Sequence, residues 1–182
     1  MIYVFLAEGF EEVEALTPVD MLRRCELNVI TVGVGGQAVM GSHNIPVLAN
    51  ITDSEIVLDD RIDMIVLPGG MPGTLNLEKN PNVQAAIDFC IKNNKYIGAI
   101  CAAPSLLGHK GLLDGKKATC YTGFETQLGN ATTCDVPVCT DGNIITSRGA
   151  GTAMEFSFEL VKVLTSEERS EKLKKTVLYR DE

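Results

Sequence analysis

Basic charge is scarce in this chain: 16 lysines and arginines stand against 24 aspartates and glutamates, for a net charge of −8. Attraction to a phosphate backbone supplies the non-specific affinity of nucleic-acid binders, and this balance excludes it. Long apolar runs are missing as well; none approaches the roughly 20 residues that cross a bilayer, so no membrane partner is expected. The opening Met1-Ile-Tyr-Val-Phe-Leu6 lacks the basic stretch of a secretory leader and runs at once into acidic residues, which makes a cytoplasmic location the expectation. Histidine occurs only at positions 43 and 109. That is too few for a three-histidine zinc site, and neither adjoins a cysteine, so no metal site is expected and His109 is read as surface or structural. The six cysteines, Cys25, Cys90, Cys101, Cys120, Cys134 and Cys139, form no CxxC and are scattered through strand and helix patterns, which argues against a disulfide framework. Tryptophan is absent, yet 45% apolar and 22% charged residues make an ordinary globular balance. With no repeat or linker, the 182 residues are expected to form one domain, 1–182.

What is present is an alternation of buried strands and amphipathic helices. Residues 2–7 are continuously apolar, 62–67 is apolar apart from Asp63, and 27–34 is rich in β-branched residues, as strands buried on both faces require. Between them, residues 11–24 repeat Val13, Leu16, Val19 and Leu22 at roughly helical spacing, with acids first and arginines last. Pro18 should kink that helix or delay its start. A short hairpin is expected over 39–48, and residues 71–80 read as loop. Pro81 opens a helix to Asn93, where its missing N–H costs nothing. Further on, the pattern predicts a strand over 118–121, a hairpin around Thr140-Asp141-Gly142, a helix to about Leu164 and a last charged helix capped by Ser166. Residues 123–133 follow no clear pattern. Strands alternating with helices, with glycines at the strand ends, predict an α/β fold: a doubly wound, mostly parallel sheet flanked by helices, with added hairpins.

The chain is organised around residues 96–107, where an apolar run stops at Cys101 and a helix-forming run begins. A cysteine there meets unpaired N–H groups and the positive end of a helix dipole, so its pKa is expected to fall and the thiolate, the reactive species, to be enriched. The turn is like a nucleophile elbow, and Gly98, Ala99, Ala102 and Ala103 leave room around the sulfur. The plainer alternative is a buried cysteine acting as a small hydrophobe. Ligands of such sheets bind at the carboxyl ends of the strands, a rule that gathers Glu8–Glu14, Gly69-Gly70, Cys101-Ala102 and Arg148-Gly149 on one rim.

Five stretches, Ala7-Glu-Gly-Phe-Glu-Glu-Val-Glu14, Pro18-Val-Asp20, Val66-Leu-Pro-Gly-Gly70, Ala99-Ile-Cys-Ala-Ala-Pro104 and Thr146-Ser-Arg-Gly-Ala-Gly-Thr152, together resemble the DJ-1/ThiJ/PfpI superfamily. This lies in the flavodoxin-like, class I glutamine amidotransferase-like group, and the likeness covers nearly the whole chain. By position, the resemblance implies Cys101 as nucleophile, Glu14 as the carboxyl facing its sulfur, and the Gly70 and Ala102 amides as an oxyanion site. A carboxylate beside a thiolate is repelled and desolvated, so the Glu14 pKa should rise. Gly69, Tyr121 and Arg148 would support the site, Arg148 in a structural role. Two departures bear on chemistry. Ala102 stands where the protease-like branch has histidine, and Tyr121 where the DJ-1 branch often has one; a phenol, with a pKa of about 10, is a poor base near neutrality.

The function the resemblance implies is a cofactor-independent enzyme of glyoxalase or deglycase type, acting on a small reactive carbonyl and turning a 2-oxoaldehyde into a 2-hydroxy acid. The alternative is a redox-sensing, stress-protective chaperone with an oxidisable Cys101. The resemblance also implies a homodimer that buries part of the first helix and the hairpin near residues 38–48. Cys120, Cys134 and Cys139 are candidates to resolve an oxidised Cys101, set against their reading as buried hydrophobes.

Overall fold

The computed structural model describes residues 1–179. Strand β1 (Ile2–Leu6) is buried along its whole length and lies inside a seven-stranded sheet. On one side of it come β2 (Val29–Gly33) and the two-residue edge strand β5 (Ile51–Thr52); on the other come β6 (Met64–Leu67), β7 (Tyr96–Ile100), β11 (Ile144–Ser147) and β10 (Val138–Asp141). All neighbours are parallel except β10 and β11, which form the hairpin that Asp141-Gly142 announced. A separate hairpin pairs β3 (Ala38–Met40) with β4 (Pro46–Leu48), and β8 (Lys117–Ala118) pairs with β9 (Thr132–Thr133).

Helices cover both faces, which is why the central strands read as unbroken apolar runs. On one face α1 (Glu12–Arg24), α5 (Ala153–Leu164) and α6 (Glu167–Thr176) pack Leu22, Phe156, Leu160 and Leu173 against Ile2, Val4 and Met64. On the other, α2 (Gly73–Lys79), α3 (Pro81–Lys92) and α4 (Pro104–His109) pack Leu77, Ile87 and Leu106 against Phe5, Ile65 and Ile97. Each such side chain contributes on the order of 1.5–3 kcal/mol by leaving water. Gly98 sets how close one layer comes: a β-carbon there would lie 3.0 Å from the Phe156 ring, so its absence lets α5 lie directly on β7. Ser166 caps α6 by accepting from Arg169 N at 3.2 Å.

The mostly parallel, helix-flanked sheet is the predicted architecture, and the differences are local. Residues 73–79, expected as loop, form α2, because Thr74 and Leu77 find a buried place beneath them. The strand expected over 118–121 stops at Ala118; Thr119 turns away to give its N–H to Thr146 Oγ1 at 2.9 Å. Pro18 does not delay α1, which starts at Glu12. Among the described residues no helix is long and apolar enough to cross a membrane.

Candidate active site

Four parallel strands, β1, β6, β7 and β11, end on the same rim, and the residues following them build a cleft of about 510 Å³. Cys101 follows β7 with φ of 65°, a left-handed conformation that costs a non-glycine residue about 1–3 kcal/mol unless its surroundings impose it. Here they do. Its N–H donates to Ser147 O at 2.9 Å, and its carbonyl accepts from Tyr121 N at 2.8 Å. The thiol is half-buried and lines the cleft.

Glu14, from the first turn of α1, is 1% exposed and is hydrogen-bonded to the Cys101 sulfur. Its Oε2 also accepts from Gly69 N at 3.0 Å. Gly69 has to be glycine for this to happen: a β-carbon there would stand 2.6 Å from both Cys101 Cβ and Glu14 Oε2. Gly70 holds φ of 90°, and its N–H and that of Ala102 both point at the sulfur. The cleft thus brings together Cys101, Glu14, Gly70, Ala102 and Tyr121, which is 53% exposed, while Gly69 holds Glu14 without lining the cleft itself. Arg148 stands apart. Its guanidinium pairs with Asp135 and donates to Thr122 Oγ1 at 3.0 Å, tying two loops beside the cleft.

Electrostatics correct one expectation. Burial raises Glu14 from 4.5 to about 7, against hydrogen bonds from Cys101 and Gly69 that favour its charge. The Cys101 thiol, however, does not fall. Burial first, then the charge and hydrogen bond of Glu14, push it up to about 12, and the Gly70 and Ala102 N–H groups offset only part of this. The helix expected to lower it is short and starts late, at Pro104, so its dipole is small and distant. The charge of Glu14 vanishes once it is protonated and its O–H can then donate to the sulfur, so the two titrations are coupled, with Glu14 the first to lose its proton. The resting state is a thiol hydrogen-bonded to a carboxylate poised near neutrality.

The fold also places in the cleft residues that the sequence did not single out. Met71 and Phe124 line it, and so does His43. The β3–β4 hairpin carries His43 onto the start of α1, where Nδ1 lies 3.0 Å from Glu12 Oε2 and the His43 backbone N–H donates to Glu12 Oε1 at 2.8 Å. The bond to Glu12 and the charges of Glu11 and Glu12 raise the His43 pKa. Burial alone would raise Glu12, but its own backbone and His43 outweigh that and hold it at about 2. Glu11, Glu12 and His43 are the group among the described residues with ligand atoms close enough for a metal, within 4.8 Å of one another. Those atoms are already committed to one another. No signal in the local sequence links position 43 to Cys101; only the hairpin's path does. A larger cavity of about 630 Å³, lined by Arg24, Arg169 and Lys172, contains none of the site residues.

The model of the DJ-1/PfpI family matches residues 1–163. Protein dj-1beta of Drosophila melanogaster is 35% identical over 178 residues, spanning 96% of this chain and 95% of the relative. The glutathione-independent glyoxalase DJ-1 of Schizosaccharomyces pombe is 33% identical over 176 residues, spanning 91% and 92%. The structure of oxidized Toxoplasma gondii DJ-1 superposes with a TM-score of 0.94 at 32% identity, over 99% of this chain and 98% of that one.

Proposed function

The chain belongs to the DJ-1/PfpI family, and on that footing we propose that it is a cysteine-dependent enzyme converting small 2-oxoaldehydes to 2-hydroxy acids without glutathione or another cofactor. The observation that supports this reading best is the buried carboxyl of Glu14, raised to about 7 and bonded to the Cys101 sulfur at the floor of an open cleft.

In the proposed reaction Sγ adds to the aldehyde carbon while Glu14 takes the thiol proton and passes it to the aldehyde oxygen, giving a hemithioacetal. A carboxylate with a pKa near neutrality is matched to such a transfer, and general base catalysis of this kind contributes about 10²–10⁴-fold. Glu14 then removes the proton from the former aldehyde carbon, and the resulting enediol is reprotonated on the neighbouring carbon. That leaves a thioester of the 2-hydroxy acid on Cys101. Water cleaves it, returning the thiol proton and releasing the acid, so that one water is consumed per turnover. The Gly70 and Ala102 N–H groups, which face the sulfur, stabilise the oxyanion that develops beside it. Tyr121 and Phe124 form an apolar wall, and Tyr121 can donate a hydrogen bond to the carbonyl that is not attacked.

Incubation with methylglyoxal, followed by measurement of lactate, tests the proposal. Wild-type turnover should exceed that of Cys101→Ala and Glu14→Ala by at least about 10²-fold. Turnover equal in all three would leave the redox-sensing, stress-protective reading, in which the same thiol is oxidised rather than used as a nucleophile.

Pairing of two chains through α1 and the β3–β4 hairpin belongs to the same reading. Val13, Ile45 and Leu48, at 48%, 52% and 71% exposure, offer apolar surface there. Light scattering at micromolar concentration should give twice the chain mass; a monomer would discard this part.

A further inference from the structure

A second pair of thiols lies outside the cleft. Cys134 follows β9 and is half-buried; Cys139 sits within β10 and is 8% exposed. Only four residues separate them, and the Cys134 side chain acts directly on the Cys139 thiol, while Cys134 Sγ also donates to Thr132 O at 3.7 Å. The intervening loop is fixed at both ends and in the middle. Cys134 N donates to Ala118 O at 2.8 Å, and Cys139 pairs with Thr146 in the β10–β11 ladder. Between them, the Pro137 carbonyl accepts from Ser147 Oγ at 2.8 Å and from Arg148 N at 3.3 Å. Two neighbouring thiols on a backbone fixed in this way need little movement to join, since a disulfide forms between Cα atoms within about 7 Å.

We propose that Cys134 and Cys139 form a second redox site, a dithiol that a hydroperoxide converts to a disulfide independently of Cys101.

The chemistry balances in two steps. Cys134 Sγ, the more accessible sulfur, attacks the distal oxygen of the hydroperoxide; the O–O bond breaks, leaving a sulfenic acid on Cys134 and releasing an alcohol, or water when the oxidant is hydrogen peroxide. Cys139 then attacks the sulfenic sulfur, the S–O bond breaks, and a second water leaves as the disulfide forms. Peroxide is reduced by two electrons, and the two thiols supply them. Burial, with Cys134 next, raises the Cys139 thiol to about 11, which disfavours it as the first point of attack and leaves Cys134 as the sulfur that meets the peroxide. Oxidant reaches Cys134 through a cavity of about 260 Å³ that Cys134 shares with Cys120, Asp135 and Arg148. Cys120 is the competing partner there, but it is 5% exposed and burial raises its thiol to about 11.

The test uses the whole protein treated with a small excess of hydrogen peroxide, alkylated after denaturation, and digested with a protease that cuts before Asp135 and so parts the two cysteines. Alkylatable thiols at 134 and 139 should disappear together, the two fragments should be joined, and dithiothreitol should restore both. Cys101→Ser should keep the crosslink, which separates this site from the proposed carbonyl chemistry. In Cys139→Ser, or in Cys139→Ala where the serine variant folds poorly, dimedone should instead label Cys134. Full alkylation of Cys134 and Cys139 after Cys101 has been oxidised would overturn the proposal, as would a bond from Cys134 to Cys120 or Cys101.

Discussion

Replacing Glu14 by glutamine removes a charge that burial makes costly, and the structure sets the size and sign of the effect. Glu14 is 1% exposed and its pKa stands near 7 against an ordinary 4.5. Between those values the folded chain holds a proton that the unfolded chain has released, so stability declines as pH rises through this window and is lowest, as far as this group is concerned, above about 7. At about 1.4 kcal/mol per pKa unit, the loss between about pH 5 and pH 8 is roughly 2–3 kcal/mol. Glutamine keeps the carbonyl that accepts from Gly69 N and does not titrate. Its constant effect on packing cancels when the two pH values are compared. The Cys101 thiol, raised to about 12, stays protonated throughout this range and adds nothing. Urea unfolding of both proteins at each pH should therefore show Glu14→Gln gaining roughly 2–3 kcal/mol on the wild type in going from about pH 5 to about pH 8. Turnover of 2-oxoaldehyde by the variant should fall at least about 10²-fold, since an amide takes no proton from the sulfur. A stability difference that is the same at both pH values would refute the reasoning, because it would mean that Glu14 is ionised at no cost where it lies.

Gly69→Ala should cost roughly 1–3 kcal/mol in thermal unfolding and about 10²-fold in kcat/KM, because Glu14 Oε2 and Cys101 Cβ must each retreat from 2.6 Å to an ordinary 3.4 Å; wild-type kcat/KM in this variant would show that the pairing has no role in turnover. His43→Ala should shift acid unfolding modestly to higher pH: Glu12, held at about 2, contributes stability present above 4.5 and lost as pH falls through its folded pKa, and the variant lacks the imidazole bond while keeping the backbone N–H of residue 43. An unchanged acid midpoint by circular dichroism would discount the His43–Glu12 contact. Asp53→Ala should cost about 2–3 kcal/mol in urea, since its carboxylate accepts from Gly35 N at 2.9 Å, Asn80 Nδ2 at 2.8 Å and Asn82 Nδ2 at 2.9 Å. A loss below about 0.5 kcal/mol would mean that water replaces the carboxylate freely.

What could be read from residues alone follows from how local each cause is. β1, β6 and β7 announce themselves because burial on both faces demands unbroken apolar runs, and the elbow shows as a change of pattern at Cys101. Helix α2 does not, because Gly73-Thr-Leu-Asn-Leu77 is poor helix sequence and is held by a buried place for Thr74 and Leu77 rather than by propensity. The two-residue strands β5, β8 and β9 leave no period to detect. His43 reaches the cleft only through the path of a hairpin.

The thiol illustrates the same limit in its chemistry. A helix start after Cys101 is visible in sequence and points to a lowered pKa, whereas the opposing causes, burial and a carboxylate 87 positions earlier, exist only once α1 is laid across the rim. Burial and then the charge of Glu14 together outweigh what a six-residue helix starting at Pro104 and the Gly70 and Ala102 N–H groups supply, so the thiol rises. The outcome reassigns the roles rather than dismissing the nucleophile: reactivity comes from a base raised to meet the thiol, not from a thiol lowered to meet the solvent. Turnover should accordingly rise with pH through about 7, as Glu14 loses its proton, and level off well below the pH at which free cysteine ionises. A rate that kept climbing through about 8.5, the range of an unassisted thiol, would place the proton's acceptor in bulk water instead of on Glu14.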